Sequence, residues 1–415
     1  MYKLHPINLG ILPLLVLLFF LVSCTTEKKE NKLSGNILLC GFGVGLSLID
    51  SPTSANTEEP FLCSGQDGNV YLSWIEKQAS LATLKYAKLI EGKWSAPTTI
   101  AEGNRWFVNW ADHPVLAVNK TGVMMAHYLE MSDTGTYTYD IKIVIKKAAS
   151  NQWSEPFTLH DDGVKAEHGF VSMSPLENGN FFLTWLDGRN TSGAHHDHHG
   201  GGAMTIRGAI LNSEGRKLEE WALDQRVCDC CQTTNGVTAD GLIAVYRDRS
   251  DEEVRDMSYV MYANNKWSEP KILFADNWKI NGCPVNGPSV STSGTEVVVG
   301  WFSAAENEPK VQVIFSQNNG ESFGTPIRLD QGKAIGRVKT TFINSDMAFV
   351  SWMEGNQIVG AMVNQNEISE RYVLANSSVQ RSSGFPQLAK WNDQVVLAWT
   401  DPELNQIKTG FINIK

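Results

Sequence analysis

Five short runs that end in tryptophan decide the fold: Val70-Tyr-Leu-Ser-Trp74, Phe181-Phe-Leu-Thr-Trp185, Val297-Val-Val-Gly-Trp301, Ala348-Phe-Val-Ser-Trp352 and Val396-Leu-Ala-Trp399. Two further copies carry a stand-in, Val123-Met-Met-Ala-His127 and Leu242-Ile-Ala-Val-Tyr246, and the seven ends recur 47 to 61 residues apart. Runs this short and this rich in β-branched and aromatic residues read as strands. Working outward, an apolar segment precedes each run, as in Pro114-Val-Leu-Ala117, Gly169-Phe-Val-Ser172 and Phe385-Pro-Gln-Leu388. A third segment follows, such as Ile141-Lys-Ile-Val-Ile145 or Val311-Gln-Val-Ile-Phe315. A fourth opens on Trp-Ser-x-Pro at Trp94, Trp153 and Trp267. Four short strands per unit make one blade of a β-propeller. The chain is therefore expected to be all-β, a propeller of four-stranded blades. Seven blades follow from the count, with six the alternative if the His127 copy belongs to an insertion. The last unit stops after its third strand, so the orphan segment 36–49 is expected to complete that blade and close the ring.

Composition agrees. The 415 residues are 42% hydrophobic and 10% aromatic, with 35 glycines and 13 tryptophans, enough to bury a large core and poor in long amphipathic stretches. A formal charge of −10 argues against a protein that tracks nucleic-acid phosphates. Residues 1–23 read as a signal peptide, because Lys3 precedes an apolar run, Gly10 to Val22, too short for the ~20 residues of a spanning helix. Leu21-Val22-Ser23-Cys24 resembles the lipobox of bacterial lipoproteins. That resemblance implies lipidation of Cys24 and a place at the bacterial cell envelope with membrane contact through the lipid alone; the polar, charged run after it reads as a flexible tether over 24–35, and the repeats place a single propeller over 36–415.

Ser316-Gln-Asn-Asn-Gly320-Glu-Ser-Phe323, between the third and fourth strands of unit five, resembles the Asp-box (BNR repeat) of sialidase-like propellers. In such a turn Asn318 caps through its side chain, Gly320 takes positive φ and the aromatic packs inward. The resemblance implies a protein that binds an anionic glycan and hydrolyses it as an exo-sialidase does. Two departures stand against the family's usual mechanism. Glu59-Pro-Phe-Leu-Cys63 has no arginine where the family places its first one, and no tyrosine opens the last unit, where Arg381-Ser-Ser-Gly-Phe-Pro386 stands.

In a propeller the loops from strand four to strand one and from strand two to strand three share one face. The chemically unusual residues fall on those loops. Acidic candidates for catalysis are Glu167, Asp187, Asp248 and Asp256, with Asp112 and Asp229 beside them; glycoside hydrolysis needs two flanking carboxyls. Arg189, Arg247, Arg249, Arg255, Arg337, Tyr246, His113 and His168 are candidates for holding an anionic ligand, the alternative for the arginine loop being a self-neutralising salt-bridge cluster. Trp106, Trp110 and Trp278 are candidates for stacking on sugar rings or for burial between blades. Cys228, Cys230 and Cys231, with Cys283 opening the neighbouring unit, admit a zinc or copper site, disulfides or buried free thiols. His195, His196, His198 and His199 form a second metal-binding candidate. Cys40 and Cys63 read as a buried pair of small core residues rather than part of this site. The rival function is a non-hydrolytic propeller whose Cys/His face binds a metal or has a redox role.

Overall fold

A computed structural model describes residues 38–40, 44–191 and 202–414. Cys24 with its leader, and His195, His196, His198 and His199, lie outside the described residues. Seven antiparallel sheets follow one another along the chain as blades 1 to 7. Their innermost strands are Thr57–Ser64, Leu116–Val118, His168–Pro175, Thr234–Thr238, Ser289–Ser293, Ala334–Phe342 and Gln387–Trp391, and each touches the next until blade 7 returns to blade 1. The count is seven because the unit containing His127 is a full blade, Leu116–Val118, Met124–Met131, Tyr139–Lys146 and Phe157–Thr158.

The segment expected to close the ring serves two blades. Val44–Ile49 is the outer strand of blade 7, antiparallel to Gln406–Ile414 with Val44 opposite Ile414 and Ile49 opposite Thr409. Leu38–Cys40 pairs in parallel with Glu367–Ser369 of blade 6. Cys40 and Cys63 thus belong to different blades.

Burial follows the pleat. Alternate residues of each second strand enter hydrophobic clusters that lie between neighbouring blades. Phe181, Leu183 and Trp185 face blade 2, whereas Phe182 and Leu186 face blade 4. Trp74, Trp185, Trp301 and Trp352 are fully buried in this way, each against the preceding blade. Three indole N–H groups are satisfied by acids, Trp185 by Asp187 at 2.9 Å, Trp301 by Asp276 at 2.7 Å and Trp352 by Glu354 at 3.0 Å. In blade 2 the residue on that side is Tyr128, one position beyond His127, and it stacks on Trp106 at 4.2 Å. His127 therefore points to the opposite side of its sheet from the side the repeat assigned it.

The Trp-Ser-x-Pro signature has a local cause. The serine hydroxyl accepts the third strand's backbone N–H, at 3.1 Å for Lys88 to Ser95, 3.0 Å for Ile145 to Ser154 and 3.1 Å for Met261 to Ser268. It ties down the start of an outer strand that has few ladder bonds of its own. The turn at Ser316 behaves as read from sequence: Asn318 accepts from the Ser322 N–H at 3.0 Å, Gly320 has φ +92°, and Phe323 meets Tyr259 of blade 4 edge-on.

Trp301→Ala is expected to lower unfolding free energy by about 3–5 kcal/mol, because it opens a cavity between blades 4 and 5. Leu404→Ala, on an exposed turn, is expected to stay within about 0.5 kcal/mol of the parent. Urea denaturation of both variants checks the difference.

Candidate functional site

The inner strands do not run smoothly to the face on which the strand-four-to-one loops arrive. Blades 1, 3 and 6 each break register there, between Glu58 and Phe61, Gly169 and Ser172, and Gly336 and Lys339. Each break holds a non-glycine residue at positive φ: Glu59 at 57°, Phe170 at 53° and Arg337 at 55°. Such strain persists where the surroundings enforce it, and it clusters at functional sites. The bulges re-aim the residues that follow them into an axial cavity of about 60 Å³, whose walls include Phe61, Asp112, His113, Gln232, Lys339 and Phe385.

Lys339 is the cation of this cavity. Its Nζ lies 5.7 Å from the Phe61 ring, and burial brings its ammonium down to about 8. His113 stands between Phe61 at 5.9 Å and Phe385 at 6.2 Å; burial, then the Lys339 charge, lowers it to about 3, so it is a neutral wall. Gln232 spans the cavity wall, donating to the Ala111 carbonyl at 2.7 Å and accepting from the Gly287 N–H at 2.9 Å.

Behind the cavity wall the Tyr139 hydroxyl lies between two carboxyls. It donates to Glu167 at 2.7 Å and lies 3.4 Å from Asp112. Asp112 also accepts the Phe170 N–H at 2.7 Å, a bond that the strained φ of Phe170 makes reachable. A Cβ on Gly169 would fall 2.1 Å from the Asp112 Oδ2, so only glycine leaves room for this carboxyl. Burial raises Asp112 well above the usual carboxylate range, and it lifts Glu167 to about 7 with help from the charge of Asp229. Glu59, 5% exposed, has neither carboxyl oxygen hydrogen-bonded, and burial raises it as well. Tyr139 is held by stacking on Phe107 at 4.1 Å.

Glu167 leads through Asp229 to the cysteines. The Cys228 Sγ lies 3.5 Å from the Cys231 Sγ and 3.9 Å from the Cys230 Sγ, and Arg255 donates to Cys228 at 3.2 Å. Cys283, from the blade 5 entry loop, adjoins Cys230. All four thiols are free.

The arginine loop is the self-neutralising cluster. Arg249 grips Glu253 and donates to Asp229 at 2.9 Å, while Arg255 donates to Glu253 at 2.8 Å. The expected ligand role of Arg247 does not survive, because its guanidinium is buried and donates to the carbonyls of Asn286, Arg255 and Phe302 over the Trp278 ring. Arg337 is likewise engaged by Ser383, Gly384 and Gln380 and lies over Trp110. Asp256 accepts two backbone N–H groups, from Asn277 and Trp278, and is a structural cap. Tyr246 donates to Asp224, and Asp248 is raised to about 6 by burial; both lie at the blade 3–4 seam.

His168 turns away from the cavity into a flank of blade 3. Its ring stacks on His160 at 3.6 Å, and Asp162 lies 3.1 Å from the His160 Nδ1 and 3.2 Å from the His168 Nε2. Asp187 belongs here as a fixed counter-ion: against the cost of burial, the paired Arg189 bonds at 2.7 and 2.8 Å bring it down to about 2. Neither Asp187 nor Arg189 is placed to meet a cavity ligand. Trp106 and Trp278 are packed against protein, whereas Trp110 stacks on Phe385 at 5.5 Å beside the exposed Arg381.

Sequence reading missed Tyr139, Lys339 and Glu59. Tyr139 carries no motif, and Lys339 and Glu59 acquire their surroundings only through bulges. A Glu-Pro pair at the entry to an inner strand was the one available sign of the Glu59 bulge.

With this geometry the chain is a seven-bladed propeller whose candidate site is the mouth of its axial cavity. No protein-family profile and no curated protein sequence matches it. Among solved structures it is similar to the Penicillium chrysogenum α-L-arabinanase complexed with arabinobiose, with 10% identity, a TM-score of 0.51, and 88% of this chain and 97% of that one covered. A Dyadobacter fermentans protein of unknown function gives 11% identity and a TM-score of 0.50 over 90% of this chain and all of that one. The NanB sialidase of Streptococcus pneumoniae gives 12% identity and a TM-score of 0.44 over 92% of this chain and 70% of that one. At these identities the likeness is one of fold.

Burial lowers His127 to about 3, and its Nδ1 accepts the Val115 N–H at 3.1 Å, a bond that requires the neutral ring. The unfolded chain takes up this proton near pH 6.5, so the contribution of the neutral imidazole is complete above that pH and is lost as pH falls toward 3. The stability advantage of the parent over His127→Gln is expected to shrink by roughly 1.4 kcal/mol per pH unit below 6.5. Urea midpoints of both proteins between pH 7.5 and 5 measure it.

Proposed function

We propose that the protein is a carbohydrate-binding propeller that hydrolyses an anionic glycan at the mouth of its axial cavity. The observation that carries this reading is the Tyr139 hydroxyl between Glu167 and Asp112, at the wall of a cavity that contains the Lys339 ammonium. A space of about 60 Å³ takes a carboxylate or a few waters rather than a sugar ring. The ring therefore rests by the half-buried Trp110, near the exposed Arg381, and its acidic substituent reaches down to Lys339. Both carboxyls titrate above their usual range, so the unit keeps a proton at neutral pH, as a general acid must. Asp112 faces the ligand and gives its proton to the departing glycosidic oxygen; Tyr139 positions it and relays the replacing proton from Glu167, and the water that adds to the sugar carbon returns a proton to this unit. The likeness of fold to an arabinobiose-bound hydrolase supports a glycan ligand in general, and the lack of an arginine at Glu59 favours a substrate other than the usual sialoside.

Sialosides, uronic-acid glycans and sulfated glycans are the panel to screen for turnover and binding. Asp112→Asn is expected to cut turnover by at least about 100-fold while leaving ligand binding measurable. Lys339→Met is expected to raise KM for acidic glycans. Since Glu167 titrates at about 7 and acts from its protonated form, kcat is expected to fall tenfold per unit above pH 7, and Glu167→Gln to remove that limb. Turnover unchanged in Asp112→Asn would reject the site.

We also propose that the propeller is tethered to the bacterial envelope through a lipidated Cys24, on the strength of Leu21-Val22-Ser23-Cys24. Cys24→Ala is expected to move the protein from the membrane fraction to the soluble one on cell fractionation.

A further inference from the structure

We propose that Cys228, Cys230, Cys231 and Cys283 form a four-thiolate site for one Zn²⁺ ion that staples the entry loops of blades 4 and 5. Metal–sulfur bonds of about 2.3 Å in a tetrahedron set neighbouring sulfurs about 3.8 Å apart. The Cys228 Sγ lies 3.5 Å from that of Cys231 and 3.9 Å from that of Cys230, which brackets this edge length. The sulfurs of Cys228, Cys230 and Cys231 all lie within 4.8 Å of one another, and Cys283 of the neighbouring entry loop acts on Cys230 from beside this trio, where it can supply the fourth ligand. Thiols packed only for burial have no reason to converge three at a time with a fourth beside them.

The chain geometry produces the cluster. Cys228 is locked to the arginine loop by its N–H bond to the Arg247 carbonyl at 3.0 Å. A tight turn then returns Cys230 and Cys231 toward it, and Gln232 fastens the far side of the turn to Gly287 of the neighbouring entry loop. Cys283, four residues upstream of Gly287, is thereby carried to Cys230.

Charge fits a divalent ion. Four thiolates around Zn²⁺ leave two negative charges, and two arginines that are almost fully buried adjoin them. Arg255 donates to the Cys228 sulfur at 3.2 Å, and the Arg247 charge acts on Cys231. An N–H to thiolate bond of this kind orients a ligand and tempers its basicity. Without an anionic partner the Arg255 guanidinium would lie buried beside neutral thiols, with Asp229 and Glu253 its remaining counter-charges. Four protein sulfurs close the coordination shell, so the ion holds structure and activates no water. This centre is independent of the glycan reading: it fastens the loop that carries Asp229, but takes no part in proton transfer.

The test uses the full chain, purified without an affinity tag, in a background where His195, His196, His198 and His199 are serine, so that metal trapped by that run is not counted. One equivalent of zinc by elemental analysis, lost in both Cys230→Ser and Cys283→Ser, is the expected result. Cobalt substitution should give the visible absorption of a tetrahedral thiolate site. A chelator should lower the Tm of the parent and leave that of Cys230→Ser, already lower, unmoved. Because Cys283 lies on an exposed loop, Cys283→Ser keeps the test open should Cys230→Ser fail to fold. Four oxidised cysteines, or a reduced protein that takes up no zinc, would overturn the proposal. So would zinc bound by nitrogen or oxygen ligands in X-ray absorption.

Discussion

The ladder between Val44–Ile49 and Gln406–Ile414 completes the last blade, and the packing of blade 7 against blade 1 that closes the ring rests on it. A propeller blade buries both faces only when it has a neighbour on each side. The first and last blades meet at a seam that no covalent connection crosses in sequence order. Borrowing an outer strand from the far end of the chain turns that seam into a blade like the others. Trp74 and Leu72 of blade 1 can then bury against Val396 and Ala398 of blade 7. Had the seam stayed open, the outer edge of Gln406–Ile414 would present an unpaired ladder, which a soluble sheet protein must cover.

Closure also sets the chemistry. Seven inner strands leave a narrow axial space, and the bulges at Glu59, Phe170 and Arg337 shape its mouth by turning side chains inward at the expense of backbone strain. The inner strands are otherwise cross-linked by polar side chains, as where Asn235 donates to the Ser172 carbonyl and Thr340 to that of Ser289. The wall is therefore rigid below the mouth and irregular at it. Buried acids concentrate at the irregular end, where Asp112, Glu167 and Glu59 are all held above the usual carboxylate range by loss of water. The blade 4 loop beside them does the opposite. Its arginines and carboxylates neutralise one another, which leaves the loop stiff and fixes Asp229 and the cysteines in place.

The sequence by itself determined the propeller, the four-stranded blades and the N-terminal strand that completes the last one, and it left seven blades against six for the structure to decide. Those features repeat, and repetition is visible in one dimension. The same periodicity predicts the Cys, His and Arg residues on the loops of one face, because loop order follows strand order. It failed at blade 2, where the strand begins one residue later than the repeat suggests and Tyr128, not His127, takes the buried aromatic place. Only the tertiary structure decided which polar groups are free. Arg247, Arg337 and Asp256 have the composition of ligand-binding residues but are saturated mainly by backbone groups, some as far as 55 residues away. Tyr139 and Lys339 have no motif, and they reach the site because a bulge or a strand end aims them there. Periodicity is a property of neighbours along the chain. Desolvation and hydrogen-bond saturation depend on atoms that the chain brings together from seven blades.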